Sequence, residues 1–484
     1  MRTLKYLLLS ILSGALSGLS FYRPELSFLI WFSPACLFFV IKSNSYKSAF
    51  FYSYVSGFTH FLTVIFWIGY VTKLGLFFLV LYLSLYWGVF AVLSRRFLNT
   101  RQAPLAVSFV WVLLEYIRTV YGGFGWALLG YSQSGFLQLI QVSNLLGPWP
   151  VSFLIVYFNT ILFGIFDKEN KIILKKQFLF FAVLLLLVLV YGQLQLQEKY
   201  LQARPLKVSI IQPNIPQGQK WDPLFYEDIK DTLGELAGNS QEGSLLILPE
   251  AAWPYIMLKE NQEELKDFAR RNRRDLIIGI VERGESGHYN SSFLVSWDGG
   301  IENKYRKIKL VPFGEYVPFR ELLSFIEVIT NFSDISRGED FIVFSYKGFN
   351  IGNLICFEDI FPEFVSRFVQ EGADILVNIT NDAWFNGYPQ AYQHLQIAVF
   401  RAVEQRRYLI RAANTGISCV ISPVGRIIDS VRAGNKDVFI KGVLTEEVYP
   451  VSKITAYNKI GDVFVYAGII FLFVYLIFIM VRKR

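Results

Sequence analysis

The chain has 484 residues, of which 53% are hydrophobic and 18% charged, with a formal net charge of +8 and a mean hydropathy of +0.37. This length and hydropathy exclude a single ordinary soluble domain and favour a membrane part joined to a globular part. The three cysteines and three histidines are scattered without ligand spacing, which argues against a disulfide framework and against a thiolate metal site. We therefore expect no structural metal.

Apolar runs long enough to cross a membrane occur in the first 195 residues and again near residue 470. A helix needs about 20 residues to span about 30 Å of hydrocarbon. Residues 6–20, preceded by Arg2 and Lys5, could be a signal peptide, but the apolar runs that follow favour a retained first span. The interrupted stretch 134–146 is typical of an interfacial helix. We predict a membrane domain of seven helices in residues 1–195 and an eighth helix at 463–481, with spans at 5–22, 26–42, 50–71, 75–95, 105–120, 149–166, 177–195 and 463–481.

The basic residues between these spans are unevenly distributed. If the N-terminus is cytoplasmic, the inside segments carry 14 basic residues: Arg2, Lys5, Lys42, Lys47, Arg95, Arg96, Arg101, Lys168, Lys171, Lys175, Lys176, Arg482, Lys483 and Arg484. The short outside loops carry 3: Arg23, Lys73 and Arg118. The positive-inside rule then predicts that both termini are cytoplasmic and that residues 196–462 lie on the outer face. Much of the net charge is explained by topology, so we do not interpret it as nucleic-acid binding.

The span at 105–120 is the shortest and contains two charged residues, Glu115 and Arg118, which are three apart on one helix face. They form either a pair near the membrane boundary or part of an entrance for lipid. We favour the pair.

Residues 205–450 alternate between apolar runs and charged, helix-compatible stretches. The runs at 208–211, 245–248, 276–281 and 375–379 predict buried strands, and the stretches at 223–237, 260–273, 361–370 and 389–407 predict helices. Ser291–Trp297 and Ile301–Tyr305 predict a hairpin across Asp298-Gly299-Gly300. This alternation indicates a layered α/β domain with one substantial core.

Three predicted strands end in side chains that could act together: Glu250, Lys307 and Cys356. A thiol that attacks a carbonyl needs a base to take its proton and a cation or donors to stabilise the oxyanion. Taken singly, each residue has an ordinary alternative, since Cys356 could be a core thiol, Glu250 a surface carboxylate and Lys307 part of a solvated basic face. Spacing does not separate Lys307 from Lys309, and a Cys-His arrangement with His394 is a rival to the triad.

The arrangement resembles the nitrilase superfamily, whose members have an α-β-β-α sandwich and a Glu-Lys-Cys triad. Several motifs are, in combination, similar to the apolipoprotein N-acyltransferase family: Gln212–Gln217, Lys220-Trp221-Asp222, Leu310–Pro318, Asn381–Phe385 and, in the membrane half, Gly125–Gln133. Eight spans with the catalytic domain inserted before the last also fit that family. One departure is Phe357, where a tyrosine often follows the cysteine.

The resemblance implies a multi-span α-helical membrane domain plus a nitrilase-like catalytic domain over residues 205–450. It implies that Cys356 is the nucleophile, Glu250 the general base and Lys307 the oxyanion stabiliser. Two further glutamates, Glu315 and Glu358, would support the lysine and the geometry of the site. Four aromatic residues are predicted to line the substrate cleft and exclude water: Trp221, Trp253, Trp384 and Phe385.

The implied reaction moves a fatty acyl chain from a membrane phospholipid to Cys356 and then to the α-amine of the diacylated N-terminal cysteine of an apolipoprotein. The resemblance implies no cofactor, no nucleic-acid partner, and a location in the bacterial inner membrane with the catalytic domain on the periplasmic face. One alternative is a membrane-anchored amidase of the nitrilase kind, which would hydrolyse C–N bonds. Another is a transporter with a non-catalytic outer domain, for which broken or charged mid-membrane helices would be expected.

Overall fold

A computed structural model describes residues 2–167, 171–198, 200, 204–317, 334–385 and 388–482, which form two units. The helical unit comprises Met1–Glu198, Tyr392–Glu404 and Thr455–Arg484, and the α/β unit comprises Lys199–Ala391 and Gln405–Ile454. Four residues used in the sequence analysis lie outside the described residues: Lys168, Pro318, Lys483 and Arg484.

The helices and strands of the described residues are as follows. The helices are α1 (Arg2–Leu19), α2 (Ser33–Ser43), α3 (Tyr46–Ile65), α4 (Lys73–Arg95), α5 (Ala103–Val120), α6 (Leu137–Ile140), α7 (Ser143–Leu146), α8 (Trp149–Phe166), α9 (Lys171–Gln195), α10 (Tyr226–Gly238), α11 (Gln262–Asn272), α12 (Pro362–Gln370), α13 (Tyr388–Gln405), α14 (Ala456–Ile460) and α15 (Val463–Arg482). The strands are β1 (Leu206–Gln212), β2 (Leu245–Ile247), β3 (Leu276–Gly284), β4 (Gly287–Ser296), β5 (Gly300–Arg306), β6 (Val343–Tyr346), β7 (Phe349–Ile355), β8 (Ile375–Thr380), β9 (Leu409–Ala413), β10 (Cys419–Ile421), β11 (Ile427–Ser430) and β12 (Gly442–Val448).

The helical unit is a multi-span membrane domain. Within the described part of the chain, seven helices are long and apolar enough to cross a membrane: Pro24–Ser43, Tyr46–Tyr70, Lys73–Arg95, Ala103–Val120, Trp149–Phe166, Lys171–Gln195 and Val463–Arg482. They correspond to seven of the eight predicted spans. The remaining prediction, 5–22, corresponds to α1, which begins with Arg2 and Lys5 and is not among the seven. The span at 5–22 therefore stays a prediction.

Small residues allow α1 to pack closely against α3. A Cβ atom added to Gly14 would lie 2.2 Å from the carbonyl oxygen of Ser56, and one added to Gly18 would lie 2.6 Å from the Cβ of Thr63. Van der Waals packing across such small-residue faces is a main source of helix association in lipid, where no hydrophobic driving force acts between helices. Gly14 and Gly18 of α1 are thus explained by close packing against α3.

Residues 392–404, which the sequence analysis placed in the catalytic range, cluster with the helical unit. Within that unit, Arg401 donates to the hydroxyl of Tyr131 at 3.0 Å and pairs with Glu404 at 2.6 Å. The hydroxyl of Tyr457 donates to Asp462 at 3.0 Å. The helical unit is therefore assembled from three separate stretches of sequence.

The α/β unit contains two mixed six-stranded sheets with the orders β12-β1-β2-β3-β4-β5 and β11-β10-β9-β8-β7-β6. Strands β1 to β3 are parallel to one another, as are β7 to β9, and the outer strands pair antiparallel. The predicted strands correspond to β1, β2, β3 and β8, and the predicted hairpin to β4 and β5. Their runs are continuously apolar because strands buried on both faces have no solvent side.

Helices cover these sheets. Ile229 and Leu233 of α10 and Phe268 of α11 pack into one core with residues of the first sheet such as Leu246 and Ile278. Helix α12 packs against β7, and the sheets face each other through β1 with β9 and β4 with β7. The predicted fold class, a multi-span helical domain plus a layered α/β domain with two sheets, is confirmed.

Candidate active site

Three strand ends of the α/β unit bring the predicted triad together. Glu250 lies three residues after β2, Lys307 follows β5 directly, and Cys356 follows β7 directly. The Nζ atom of Lys307 lies 3.2 Å from Oε1 of Glu250, and both residues are buried. The charges of both act on the Cys356 thiol. An acid, a base and a thiol that are far apart in sequence therefore share one site.

The carboxylate of Glu250 is held by donors on both oxygens. Its Oε1 accepts from Nδ2 of Asn290 at 2.7 Å and from Lys307, and its Oε2 accepts from the backbone N–H of Asn381 at 2.9 Å. Burial works to raise the pKa of Glu250, but the charge of Lys307 and the Asn290 hydrogen bond bring it below its ordinary value. Glu250 is thus a carboxylate at neutral pH.

Lys307 is a buried ammonium between two carboxylates. Its Nζ donates to Oε1 of Glu315 at 2.8 Å as well as to Glu250. Burial alone would lower the pKa of Lys307, but the charges of Glu250 and Glu315 hold it well above its usual value. The neighbouring Lys309 instead lies over the ring of Phe361, with 5.3 Å between Nζ and the centroid. Of the two lysines, it is Lys307 whose ammonium contacts Glu250.

Cys356 occupies a strained turn. Its φ of +52° is in the left-handed region, which L residues rarely adopt, and it opens the 3-10 turn Cys356–Ile360. Desolvation of the sulfur and the charge of Glu250 raise the pKa of the thiol well above its usual value, although Lys307 acts in the opposite direction. The resting sulfur is therefore protonated at neutral pH.

Glu315 and Glu358, the predicted supporting residues, hold the backbone around the triad. Oε2 of Glu315 accepts from the N–H of Val311 at 2.8 Å. Oε1 of Glu358 accepts from the N–H of Ile308 at 2.7 Å and of Lys309 at 3.1 Å, and its Oε2 accepts from the N–H of Ile355 at 2.8 Å. Glu358 therefore ties the residue before Cys356 to the residues after Lys307. Burial raises the pKa of Glu358 to about 7.

A glycine permits the close approach of β3 to the Glu250 turn. A Cβ atom added to Gly279 would lie 2.5 Å from the Cα of Glu250. The following residue, Ala251, has a φ of +45°. The backbone that carries the carboxylate is thus fixed by contact with its neighbouring strand.

The four aromatic residues predicted to contact substrate differ in exposure. Trp384 is 51% exposed and Trp221 is 38% exposed, while Phe385 is partly buried. Trp253 is 1% exposed and packs edge-on against Phe268 in the core of the first sheet. This burial argues against a substrate contact for Trp253, because the core would have to open to admit one.

His394, the rival partner of the cysteine, belongs to the helical unit, where its ring lies 5.3 Å from that of Trp126.

Within the described ranges, we find no cluster of three or more His, Cys, Asp or Glu side chains that could hold a metal ion.

Sequence reasoning gave no role to several residues of the site. Lys220 is buried, donates from Nζ to the backbone oxygen of Glu250 at 3.0 Å, and has its pKa lowered by burial to about 8. It lies in a motif quoted above, but only the fold shows that its ammonium points inward. Asn290 has no distinguishing signal in the sequence. Arg411 does have one, because it is a charge inside the apolar strand β9.

Both halves of the chain match known protein families. Residues 13–161 match the apolipoprotein N-acyltransferase N-terminal domain, and residues 207–453 match the carbon-nitrogen hydrolase domain. A Geobacter metallireducens protein described as apolipoprotein N-acyltransferase is 38% identical, covering 95% of this chain and 92% of the relative. One from Rickettsia prowazekii is 31% identical, covering 96% of each.

Among solved structures, Saccharomyces cerevisiae Nit3, described as a member of branch 10 of the nitrilase superfamily, is 21% identical with a TM-score of 0.40, covering 52% of this chain and 93% of that one. The matches to the Geobacter and Rickettsia relatives cover both halves of the chain. The chain therefore belongs to the apolipoprotein N-acyltransferase family of the nitrilase, or carbon-nitrogen hydrolase, superfamily.

Proposed function

We propose that this protein transfers a fatty acyl chain from a membrane phospholipid to the α-amino group of the diacylglyceryl-cysteine at the N-terminus of an apolipoprotein, through a thioester on Cys356. The observation that carries the proposal is the ammonium of Lys307, held 3.2 Å from Glu250 beside a thiol, in a chain that also carries a multi-span membrane unit. Both substrates are lipids, so a membrane base suits both.

In the first half-reaction, Sγ of Cys356 attacks the ester carbonyl of the phospholipid, and the thiol proton moves to the carboxylate of Glu250. The ammonium of Lys307 stabilises the oxyanion of the tetrahedral intermediate. The ester C–O bond then breaks, and the departing lysophospholipid oxygen takes the proton from Glu250. The products are the acyl thioester and a lysophospholipid.

In the second half-reaction, the α-amine of the apolipoprotein attacks the thioester carbonyl, and Glu250 takes a proton from the attacking nitrogen. Lys307 stabilises the second oxyanion. The C–S bond breaks and the sulfur of Cys356 recovers a proton from Glu250, which leaves an amide on the apolipoprotein. The cycle consumes no water, and Trp221, Trp384 and Phe385 are proposed to keep water from the thioester.

The pKa directions explain why the proton should move together with the attack. The thiol has a raised pKa and the carboxylate a lowered one, so a thiolate beside a neutral Glu250 is unfavourable in the resting site. As the C–S bond forms, negative charge moves from sulfur to the carbonyl oxygen, where Lys307 stabilises it. We therefore infer that the sulfur is not free as a thiolate before substrate binds.

Mass spectrometry of the Cys356 peptide tests the first half-reaction. After incubation of the purified full chain with phospholipid, we expect a mass increase of one fatty acyl group on Cys356, lost again when a diacylated lipopeptide is added. Cys419, which is buried in β10, and Cys36 serve as internal controls and should stay unmodified. No acyl group on Cys356 together with an unchanged lipopeptide would instead favour the alternative, a nitrilase-type amidase that hydrolyses C–N bonds.

We further propose that the protein lies in the bacterial inner membrane with both termini cytoplasmic and residues 205–450 on the periplasmic face. The distribution of basic residues supports this orientation. A cysteine introduced at Ser286, on the turn between β3 and β4, should be labelled by a membrane-impermeant maleimide added from the outer side, and one introduced at Ser45, between α2 and α3, should not. The reverse pattern would contradict the orientation.

A further inference from the structure

Arg411 is a buried charge within an apolar strand. Its side chain is 0% exposed, and its neighbours on β9 are Ile410 and Ala412. A guanidinium in such a place is strongly destabilising unless carboxylates and hydrogen bonds compensate it. The partners of Arg411 must therefore compensate the free-energy cost of burying its charge.

Those partners come from two elements that adjoin the nucleophile. Nη1 of Arg411 donates to Oδ1 of Asn378 on β8 at 3.0 Å, and Nη2 donates to Oδ2 of Asp382 at 3.3 Å. Nη1 also lies 3.6 Å from Oδ2 of Asp359. The guanidinium thus joins the end of β8 to the turn that follows β7.

Each partner of Arg411 is connected to Cys356, by a hydrogen bond, by its position in the same turn or by its charge. Nδ2 of Asn378 donates to the backbone oxygen of Cys356 at 3.1 Å, and Asp359 lies three residues further in the turn that Cys356 opens. The charge of Asp382 is one of the groups that raise the pKa of the Cys356 thiol. The side chain of Asp382 is itself confined, because a Cβ atom added to Gly416 would lie 1.9 Å from its Oδ2.

We propose that Arg411 is a positioning residue for Cys356, which holds the turn of the nucleophile through Asn378 and Asp359 and offsets the charge of Asp382 that acts on the sulfur. The role rests on the proposed function of Cys356 as the acyl carrier. Arg411 touches neither substrate nor the sulfur in this scheme, and it acts through its three partners.

Two physical features make such a support necessary. The left-handed conformation of Cys356 persists only if surrounding contacts over-determine it. The buried carboxylate of Asp382 acts on the sulfur by its charge, and the titratable thiol of Cys419 on β10 also senses the charge of Arg411. Glu250 and Lys307, which belong to the reacting groups, also act on the sulfur by their charges, and Lys220 is a further charged group that interacts with it.

The test compares three variants of the full chain in detergent: Arg411→Lys, Asn378→Ala and, as a matched control, Arg407→Lys. Arg407 is also a fully buried arginine, but its guanidinium donates to backbone oxygens such as that of Ala373 at 2.8 Å and that of Lys453 at 2.8 Å. Thermal unfolding establishes that each variant is folded. The readouts are the rate of thioester formation with phospholipid and the pH profile of Cys356 alkylation by iodoacetamide.

We expect Arg411→Lys and Asn378→Ala to form the thioester on the order of 10–100-fold more slowly, because a displacement of about 1 Å at a nucleophile can reduce the rate about 100-fold. Arg407→Lys should retain the wild-type rate, whatever its unfolding temperature. A fourth variant, Arg411→Met, removes the charge and should move the alkylation midpoint to higher pH, whereas Arg411→Lys should leave that midpoint unchanged.

The proposal is overturned if Arg411→Lys and Asn378→Ala form the thioester at the wild-type rate, or if Arg407→Lys loses as much activity as they do. If Arg411→Met does not fold, the first two variants still decide the question. Alkylation does not need the transfer reaction, so an error in the proposed function would leave the alkylation readout interpretable.

Discussion

Two sites of buried charge, one in each unit, are compensated in different ways. In the helical unit, Oε1 of Glu115 accepts from the backbone N–H of Leu129 at 2.7 Å, and Nη2 of Arg118 donates to the backbone oxygen of Ala127 at 3.2 Å. In the α/β unit, Lys307 instead lies between the side chains of two carboxylates next to a thiol.

The comparison distinguishes charged residues that stabilise the fold from charged residues that are proposed to take part in the reaction. Glu115 and Arg118 each form a hydrogen bond with a backbone group of the segment that follows α5, and an uncharged hydrogen-bonding group could take over that part of their role. In the proposed reaction, Glu250 takes up and returns a proton and Lys307 stabilises an oxyanion by its positive charge, so there the charge itself is needed. Replacing carboxylates by amides in the two units therefore tests the comparison.

The largest effect is expected from replacement of the nucleophile. Cys356→Ala and Cys356→Ser should abolish acyl transfer, because alanine has no nucleophile and a serine hydroxyl is a poor one without histidine assistance. Transfer to a diacylated lipopeptide is the measurement. Cys419→Ala is the control for loss of a buried thiol and should remain active. Wild-type activity in Cys356→Ser would exclude the thioester.

Glu250→Gln should lower the transfer rate by roughly 10²–10⁴-fold, the range that general acid–base catalysis contributes. The same variant should alkylate more readily. The negative charge of Glu250 raises the pKa of Cys356, so its removal lowers that pKa and moves the alkylation midpoint to lower pH. An unchanged midpoint would mean that Glu250 does not face the sulfur.

Lys307→Ala should lower the transfer rate by roughly 10²–10³-fold, as expected for loss of one oxyanion-stabilising group. Its effect on alkylation should be opposite to that of Glu250→Gln. The positive charge of Lys307 favours the thiolate, so its removal raises the pKa of Cys356 and moves the midpoint to higher pH. Matched measurements on Lys309→Ala, which should shift the midpoint less, provide the comparison.

The smallest effect is expected in the helical unit. Glu115→Ala leaves the N–H of Leu129 without its acceptor and should lower the free energy of unfolding by about 1–3 kcal/mol. Glu115→Gln keeps an acceptor oxygen and should recover most of that loss, with nearly wild-type transfer. If Glu115→Gln were as inactive as Glu250→Gln, the distinction between the two units would be wrong. Thermal unfolding and lipopeptide acylation in detergent measure both quantities.

Much of the fold could be predicted because it follows from local patterns. Seven apolar helices were identified by length and hydropathy, and the central strands by their continuous apolar runs. The positions of Glu250, Lys307 and Cys356 at strand ends were visible for the same reason. Their assignment to one site needed the resemblance, since spacing alone did not favour Lys307 over Lys309.

Other features depend on contacts between distant residues and could not be predicted. A tryptophan just after a strand gives the same pattern whether it lines a cleft or, like Trp253, packs on Phe268 in a core. The partners of Arg411 come from β8 and from the turn after β7, which only the sheet order places side by side. Likewise, the polar and apolar spacing of α13 predicts a helix but not that its residues Tyr392–Glu404 cluster with the helical unit.

The division of the sequence between the units has a consequence for synthesis and for truncation. The helical unit takes its residues from Met1–Glu198, Tyr392–Glu404 and Thr455–Arg484. A nascent chain that has emerged only as far as residue 391 therefore still lacks two of its pieces, including the arginine that bonds to Tyr131. We expect that a stop codon anywhere before α15 leaves an unfinished membrane part, and that one before Ile454 shortens the catalytic part as well.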